Sequence, residues 1–376
     1  MRAIYADYNA TWPVSQEHLT QATQELIAYD GNPSSIHLFG RKAKRSLEKS
    51  RWSLASFIGV SPQKIFFTSG ATESNNLVVA SICAQNPGKQ ILISPFEHAS
   101  IQKSVELFGQ KAGCSISVLS GTASGVTCSK SLDAFLTQET KLLCLSFVSS
   151  ELGTITPVFE LAAQARLKNA ALHIHVDAVQ ALGKLDLSAL KTSEIDSMSF
   201  SAHKIGGLKG IGALYLKQPL LFQQAFAAGG SQETGFRPGT ENLLGAISFG
   251  LRAQELTQTP NLFSSVWKLT RSLYEKLQKI PDLSLHGDFS SNVGNTVNFH
   301  IPGKSIQELL IRFENAQIAV SAGTACSSGE SKPSTALLAL GLSQYESANS
   351  VRISLGVGNL AEDVERIAGV IRINSN

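Results

Sequence analysis

From about residue 63 onward, short apolar runs alternate with amphipathic stretches, and this alternation constrains the fold more than any other feature of the chain. Repeated strand-then-helix order implies parallel strand pairs, because a parallel pair needs a long crossover rather than a tight turn. The runs at 64–68, 90–94, 115–119, 141–148, 172–176, 197–201 and 212–216 predict seven strands. Their β-branched and apolar content fits burial on both faces. Between them, 71–84, 98–112 and 157–168 carry helical periodicity, the last opening on Pro157, where a missing N–H costs nothing. The expectation is an α/β protein with a mainly parallel seven-stranded sheet covered by helices.

After about residue 250 the pattern changes. A helix at 262–279 leads to strands at 283–286 and 296–301, a helix at 305–314, a Gly/Ser-rich loop at 321–334, a strand at 350–355 and a terminal helix. A length of 376 residues accommodates two units. The reading is a large domain over 13–250 and a smaller α+β domain formed by 1–12 and 251–376, which carries the Gly/Ser-rich loop. No internal repeat is visible.

Hydrophobic residues at 43% and charged residues at 16% fit a globular protein. Lys plus Arg exceed Asp plus Glu by only 32 to 29, too small a surplus to imply nucleic acid. The densest basic run, Arg41, Lys42, Lys44, Arg45, Lys49 and Arg51, is interleaved with Ala43, Leu47, Trp52, Leu54 and Ala55 at helical spacing and reads as a solvated helix face. The first residues lack a signal-peptide core, and no run approaches the ~18 apolar residues of a membrane span, so a cytoplasmic protein without a membrane partner is expected. Five cysteines, at 83, 114, 128, 144 and 326, form no CxxC pair, which fits free thiols in a reducing compartment. Nothing points to a metal.

Three features carry chemistry. Lys204 leaves a predicted strand in the run 199–204 (SFSAHK) and is followed by Gly206, Gly207 and Gly210, where a backbone and a ligand can approach closely. A deprotonated lysine forms Schiff bases with carbonyl compounds, although a lysine in a glycine-rich turn is also an ordinary surface feature. Asp177 ends the preceding strand, so it and Lys204 lie at the carboxyl ends of neighbouring strands, where open α/β sheets place ligands. A carboxylate there can keep a pyridine nitrogen protonated, whereas a lone Asp after a strand is often only a helix cap. The run 68–73 (TSGATE) joins a strand to a helix and suits a phosphate, but Ser69, Thr72 and Glu73 also read as a capping box.

Taken in order, 7–11 (DYNAT), 31–35 (GNPSS) with His37 and Gly40, 68–76 (TSGATESNN), Glu97-His98, 175–178 (HVDA), 199–204 (SFSAHK) and 237–240 (RPGT) give the chain its family likeness. It resembles, nearly end to end, the fold-type I pyridoxal-phosphate enzymes of the class V aminotransferase group, and within them the NifS- or IscS-type cysteine desulfurases. The resemblance implies pyridoxal 5'-phosphate bound covalently to Lys204, with Asp177 on the pyridine nitrogen, Gln180 on the ring hydroxyl and His98 stacked on the ring. It implies a phosphate held by Ala71, Thr72, Ser201 and His203, and reached by Thr240 of the opposite subunit of a homodimer. Asn9, Ser150 and Arg352 would contact the substrate, with Arg352 on its carboxylate.

The same resemblance makes Cys326 the residue that takes sulfur from L-cysteine as a persulfide, releasing L-alanine and delivering sulfur to an acceptor or scaffold protein. Its loop is rich in Gly and Ser and poor in apolar anchors, as such a carrier requires. Cys83, Cys114 and Cys144 read as core residues. The pattern departs from the family at Ser149-Ser150, where two asparagines are usual, at Gly206-Gly207-Leu208 in place of Tyr-Gly-Pro, at Thr234 in place of Arg and at Trp12 in place of Thr. These departures imply slowed cysteine turnover or a preference for another amino acid. Two other readings stand beside the first: an aminotransferase or β-lyase of the same fold, and a non-catalytic sulfur-assembly partner.

Overall fold

The computed structural model describes residues 2–29, 31–218, 228–322 and 333–375. The chain begins with a short strand β1 (Ile4–Tyr5) and two helices, α1 (Gln16–Ala28) and α2 (Leu38–Ile58). The predicted alternation then follows: β2 (Ile65–Thr68), α3 (Ala71–Gln85), β3 (Gln90–Ile93), α4 (Ala99–Ser104), β4 (Ser115–Val118), α5 (Ser129–Phe135), β5 (Thr140–Ser146), α6 (Val158–Lys168), β6 (His173–Asp177), β7 (Ser197–Ser201) and β8 (Gly212–Leu216). Next come α7 (Leu243–Gln258), α8 (Leu262–Leu277), β9 (Ser284–His286), β10 (Thr296–His300), α9 (Ile306–Asn315), β11 (Ile318–Ala319) and β12 (Ser321–Ala322). The last described elements are α10 (Thr335–Leu338), α11 (Gln344–Ala348), β13 (Val351–Ser354) and α12 (Ala361–Ser375).

Seven strands form one sheet in the order β2-β8-β7-β6-β5-β3-β4. All its pairings are parallel except those of β8, which runs against both β2 and β7. The fold is therefore the expected mainly parallel α/β sheet. Because β8 is reversed, β2 and β7 point the same way, and the carboxyl ends of β2, β5, β6 and β7 share one side. Apolar residues of α1, α2, α6 and α7 join the sheet in one large core.

A second core holds Ile4, Leu273, Phe299, Phe313, Ile353 and Ile367, built around the antiparallel sheet β12-β13-β10-β9 and the β1–β11 pair. Ile4 and Ala6 thus pack in the same core as residues from the C-terminal part of the chain. Helix α7 runs through residue 250, and its Ala253 and Leu256 pack in the large core.

The helix expected over 98–112 is present over 99–111, with His98 as its N-cap and a π-helical turn at Val105–Gly109 inside it. One local reading is corrected. Arg51 is not solvated: its guanidinium pairs with Glu233 at 2.6 Å and donates to the carbonyl of Ile65, while Trp52 is exposed. Among the described residues, no helix is long and apolar enough to cross a membrane.

Candidate active site

The lysine loop is fixed by backbone geometry. Strand β7 ends at Ser201, a 3-10 turn over Ala202–Ile205 carries His203 and Lys204, and Gly206 closes it at φ +87°, a conformation strained for any residue with a Cβ. Across the sheet a Cβ on Gly212 would lie 2.5 Å from the Cα of Gly70. This contact draws the β2–α3 connection against the lysine loop and opens the start of α3 toward it.

The two loops face a cavity of about 610 Å³. Lys204, Asp177, Gln180, Ser201, His98 and Ser150 are among its walls. The amine of Lys204 donates to the carbonyls of Asn9 at 2.5 Å and Ala10 at 2.9 Å. Burial first, and then the positive charge of Arg352, bring its pKa down to about 8, against the opposing pull of Asp177 and Asp7. An amine so shifted is partly neutral near physiological pH and able to attack a carbonyl carbon.

Asp177 sits beside Ser199 across the β6–β7 ladder. Its Oδ1 accepts from the N–H of Val179, and its Oδ2 accepts from Nδ2 of Asn75, both at 3.0 Å. A carboxylate only accepts, so Asn75 must turn its NH2 to Asp177 and its Oδ1 to Nε2–H of His175, 2.9 Å away. His175 Nδ1 then accepts from the Ser197 hydroxyl, to which His173 Nε2–H donates, each at 2.8 Å. Burial, mainly, lowers both imidazoles to about 3, so the chain of bonds is held by neutral rings. Asn75 also donates to Ser100 Oγ, which lies 2.9 Å from Nδ1 of His98, tying the His98 cap to the same frame.

At the start of α3, Gly70 supplies no side-chain cap, so the first-turn N–H groups at Ala71 and Thr72 open on the cavity. The Ser201 hydroxyl lies 3.5 Å from the N–H of Ala71. Of the two readings of Glu73, reach-back to the backbone is realised: it accepts from the N–H of Ser69 and pairs with Arg237. His203 is lowered to about 4 by burial and then by Lys204, and its Nδ1 lies 3.3 Å from the hydroxyl of Thr11.

Asn9 is placed beneath the cavity. Its side chain donates to Thr296 Oγ1 and to the carbonyl of Ser150, and accepts from Asn295, whereas its carbonyl accepts from Lys204 and from Nε2 of Gln180. Arg352, on β13, reaches the same junction. Its Nη1 donates to the Ser150 carbonyl at 3.1 Å and its Nη2 to Asp7 at 2.7 Å, while its buried Nε has no partner among the described residues. Thr240 is exposed, in the connection before α7, and does not line this cavity. Cys326 lies outside the described residues, within 323–332; the description resumes at Pro333, followed by Ser334, the cap of α10.

Several participants went unassigned in the sequence reading. Asn75 was visible only as part of a matched stretch, although it faces the sheet one turn after Ala71. His173, His175 and Asp177 alternate along β6, and that period of two signals a shared face. Lys184 donates to Gln180 Oε1 at 2.8 Å, and Glu97 is buried with neither carboxyl oxygen bonded among the described residues. Among the departures, Trp12 turns away from the cavity to pack on Phe263 and under Arg252, and Thr234 is exposed at φ +58°.

The aminotransferase class-V family model matches residues 4–367. Over 374 residues the chain is 34% identical to the cysteine desulfurase of Trichormus azollae, covering 99% of this chain and 92% of that one. A solved NifS-like protein superposes with a TM-score of 0.91 at 28% identity over 99% of both chains. A structure of SspA in complex with cysteine superposes with a TM-score of 0.82 at 27% identity, over 95% of this chain and all of the other.

Proposed function

The chain belongs to the class V aminotransferase family, and from that premise we propose that it is a pyridoxal-phosphate-dependent cysteine desulfurase, converting L-cysteine to L-alanine. The observation that carries this reading is the convergence of an amine lowered to about 8, a buried carboxylate held in place by Asn75 and the open N-terminus of α3 on one cavity. These three groups match the three demands of the cofactor: a nucleophile for its aldehyde, an anion for its pyridinium and N–H donors for its phosphate.

In this reading Lys204 holds the aldehyde, Asp177 the ring nitrogen, and Ala71, Thr72, Ser201 and His203 the phosphate, with Gln180 at the ring hydroxyl and His98 over the ring. When bound, the cofactor supplies an electron sink for the α-carbon of an amino acid. Arg352 offers its guanidinium to the substrate carboxylate, with Ser150 and Asn9 shaping the same wall. Once released, the Lys204 amine is a base suited to accept the α-proton. The Cys326 thiolate would attack the substrate sulfur, forming an S–S bond as the Cβ–S bond breaks; the electron pair of that bond stays with the carbon fragment, which is protonated and leaves as alanine, and the persulfide passes to an acceptor protein. Thr240, exposed and outside the lining of its own cavity, would reach the phosphate of a second copy in a homodimer, and the setting is the cytoplasm.

Borohydride treatment of protein expressed with vitamin B6, followed by peptide mapping, tests the first step. The expected result is one reduced pyridoxyl adduct, on Lys204. An unmodified Lys204 in such protein overturns the reading.

A further inference from the structure

Lys184 follows Gln180 by one turn, and Gly183, at φ +75°, directs it back under that residue. Its amine donates to Gln180 Oε1 at 2.8 Å and to Asn9 Oδ1 at 3.4 Å. No carboxylate pairs with it among the described residues; both acceptors are neutral amides. The nearby charges are those of Lys204 and Arg352, the latter held by Asp7, and burial together with those two cations lowers Lys184 to about 7. An inward-facing amine with no counter-ion is costly, so its position calls for a role beyond packing.

We propose that Lys184 is a positioning residue of this site: by occupying the amide oxygen of Gln180, it turns the N–H donors of that amide toward the ring oxygen of the cofactor. The proposal rests on the reading that the cavity holds pyridoxal phosphate. A lysine donates in either protonation state, so the Gln180 oxygen faces it and the NH2 group faces the other way. That NH2 meets the carbonyl of Asn9 at 2.9 Å, the same carbonyl that accepts from Lys204. Without Lys184, only the Asn9 carbonyl, shared with Lys204, still orients the amide, and the oxygen turns into the cavity for part of the time.

A donor at the ring oxygen favours its deprotonated form, so the pH titration of the visible absorbance of the loaded enzyme reads the effect directly. Lys184→Met is expected to raise the midpoint by about 0.5 to 1 pH unit, the scale of one hydrogen bond. Gln180→Leu raises it too, and the double variant matches Gln180→Leu alone, since one residue acts through the other. Lys184→Gln keeps a donor without the charge and stays near the wild-type midpoint. A wild-type midpoint in Lys184→Met, or additive shifts in the double variant, overturns the proposal. Should Lys184→Met fail to load cofactor, a Lys184→Gln midpoint equal to that of Gln180→Leu overturns it. A wild-type protein with no cofactor band overturns the cofactor reading, and this one with it; a normal band with an unmoved Lys184→Met midpoint overturns this one alone.

Discussion

Glu97 is a carboxyl group with no bonded oxygen in a buried position beside the site. Burial, and then the charge of Asp177, push its pKa well above the usual carboxylate range, so the folded protein keeps it protonated. The unfolded chain releases that proton above about 4.3, so this group stabilises the fold below that pH and the contribution is lost as pH rises. Glu97→Gln removes the dependence; its melting temperature should gain on wild type at pH 8 more than at pH 5, and an equal or reversed difference contradicts the argument. Arg352 makes a second prediction at this scale. Its planar fork serves the Ser150 carbonyl, Asp7 and, as proposed, a carboxylate, so Arg352→Lys should raise the KM for cysteine by roughly tenfold or more. An unchanged KM removes Arg352 from substrate binding. Lys204 and Asp177 were legible in the sequence because each ends an apolar strand. Asn75 and Glu97 were not, because an Asn on a helix or a Glu after a strand is informative only once the carboxylate it faces is known.

Among the elements, α2 shows how a charge pattern misleads. Five of its six basic residues are exposed as periodicity predicts, but Arg51 crosses to Glu233, which also accepts from the N–H of Phe67. This buried pair ties α2 and β2 to the turn Gln232–Gly235, where Glu233 and Thr234 both hold positive φ. Glu233→Ala leaves the guanidinium with only Glu48, itself half exposed, and the Ile65 carbonyl, and should cost about 1–3 kcal/mol in urea denaturation; an unchanged midpoint means that Glu48 and water replace Glu233. No local pattern links Arg51 to a residue so far along the chain. The π-helical turn inside the helix at 99–111 escaped notice for a related reason: the apolar spacing continues through it, where Gly109 packs against Ile91 of β3. The strands, by contrast, were read nearly residue for residue, since burial on both faces leaves continuous apolar runs in β2, β5, β6, β7 and β8; the expected burial fails at the edge strand β4, which is largely exposed.

Across the whole molecule, the buried histidines set a common response to acid. His173 and His175 are lowered to about 3, and His203 and His286 to about 4, in each case chiefly by burial. The unfolded chain protonates its imidazoles near 6.5, so between about 6.5 and 4 it binds more protons than the fold does. Their stabilisation is complete above about 7 and is lost as pH falls through that window. The urea midpoint should therefore be clearly lower at pH 5 than at pH 7.5, and an equal or higher value at pH 5 contradicts the burial of these rings. The change of pattern near residue 250 corresponds to a change of core: α7 packs its Ala253 and Leu256 in the large core, and α8 packs its Val266 and Leu273 in the small one. The assembled site makes a claim about products that one assay decides: loaded protein incubated with L-cysteine and dithiothreitol, with alanine, sulfide and pyruvate quantified together. The account predicts alanine and sulfide in equal amounts, with both lost in Cys326→Ala. Pyruvate in place of alanine, or undiminished sulfide from Cys326→Ala, would contradict it.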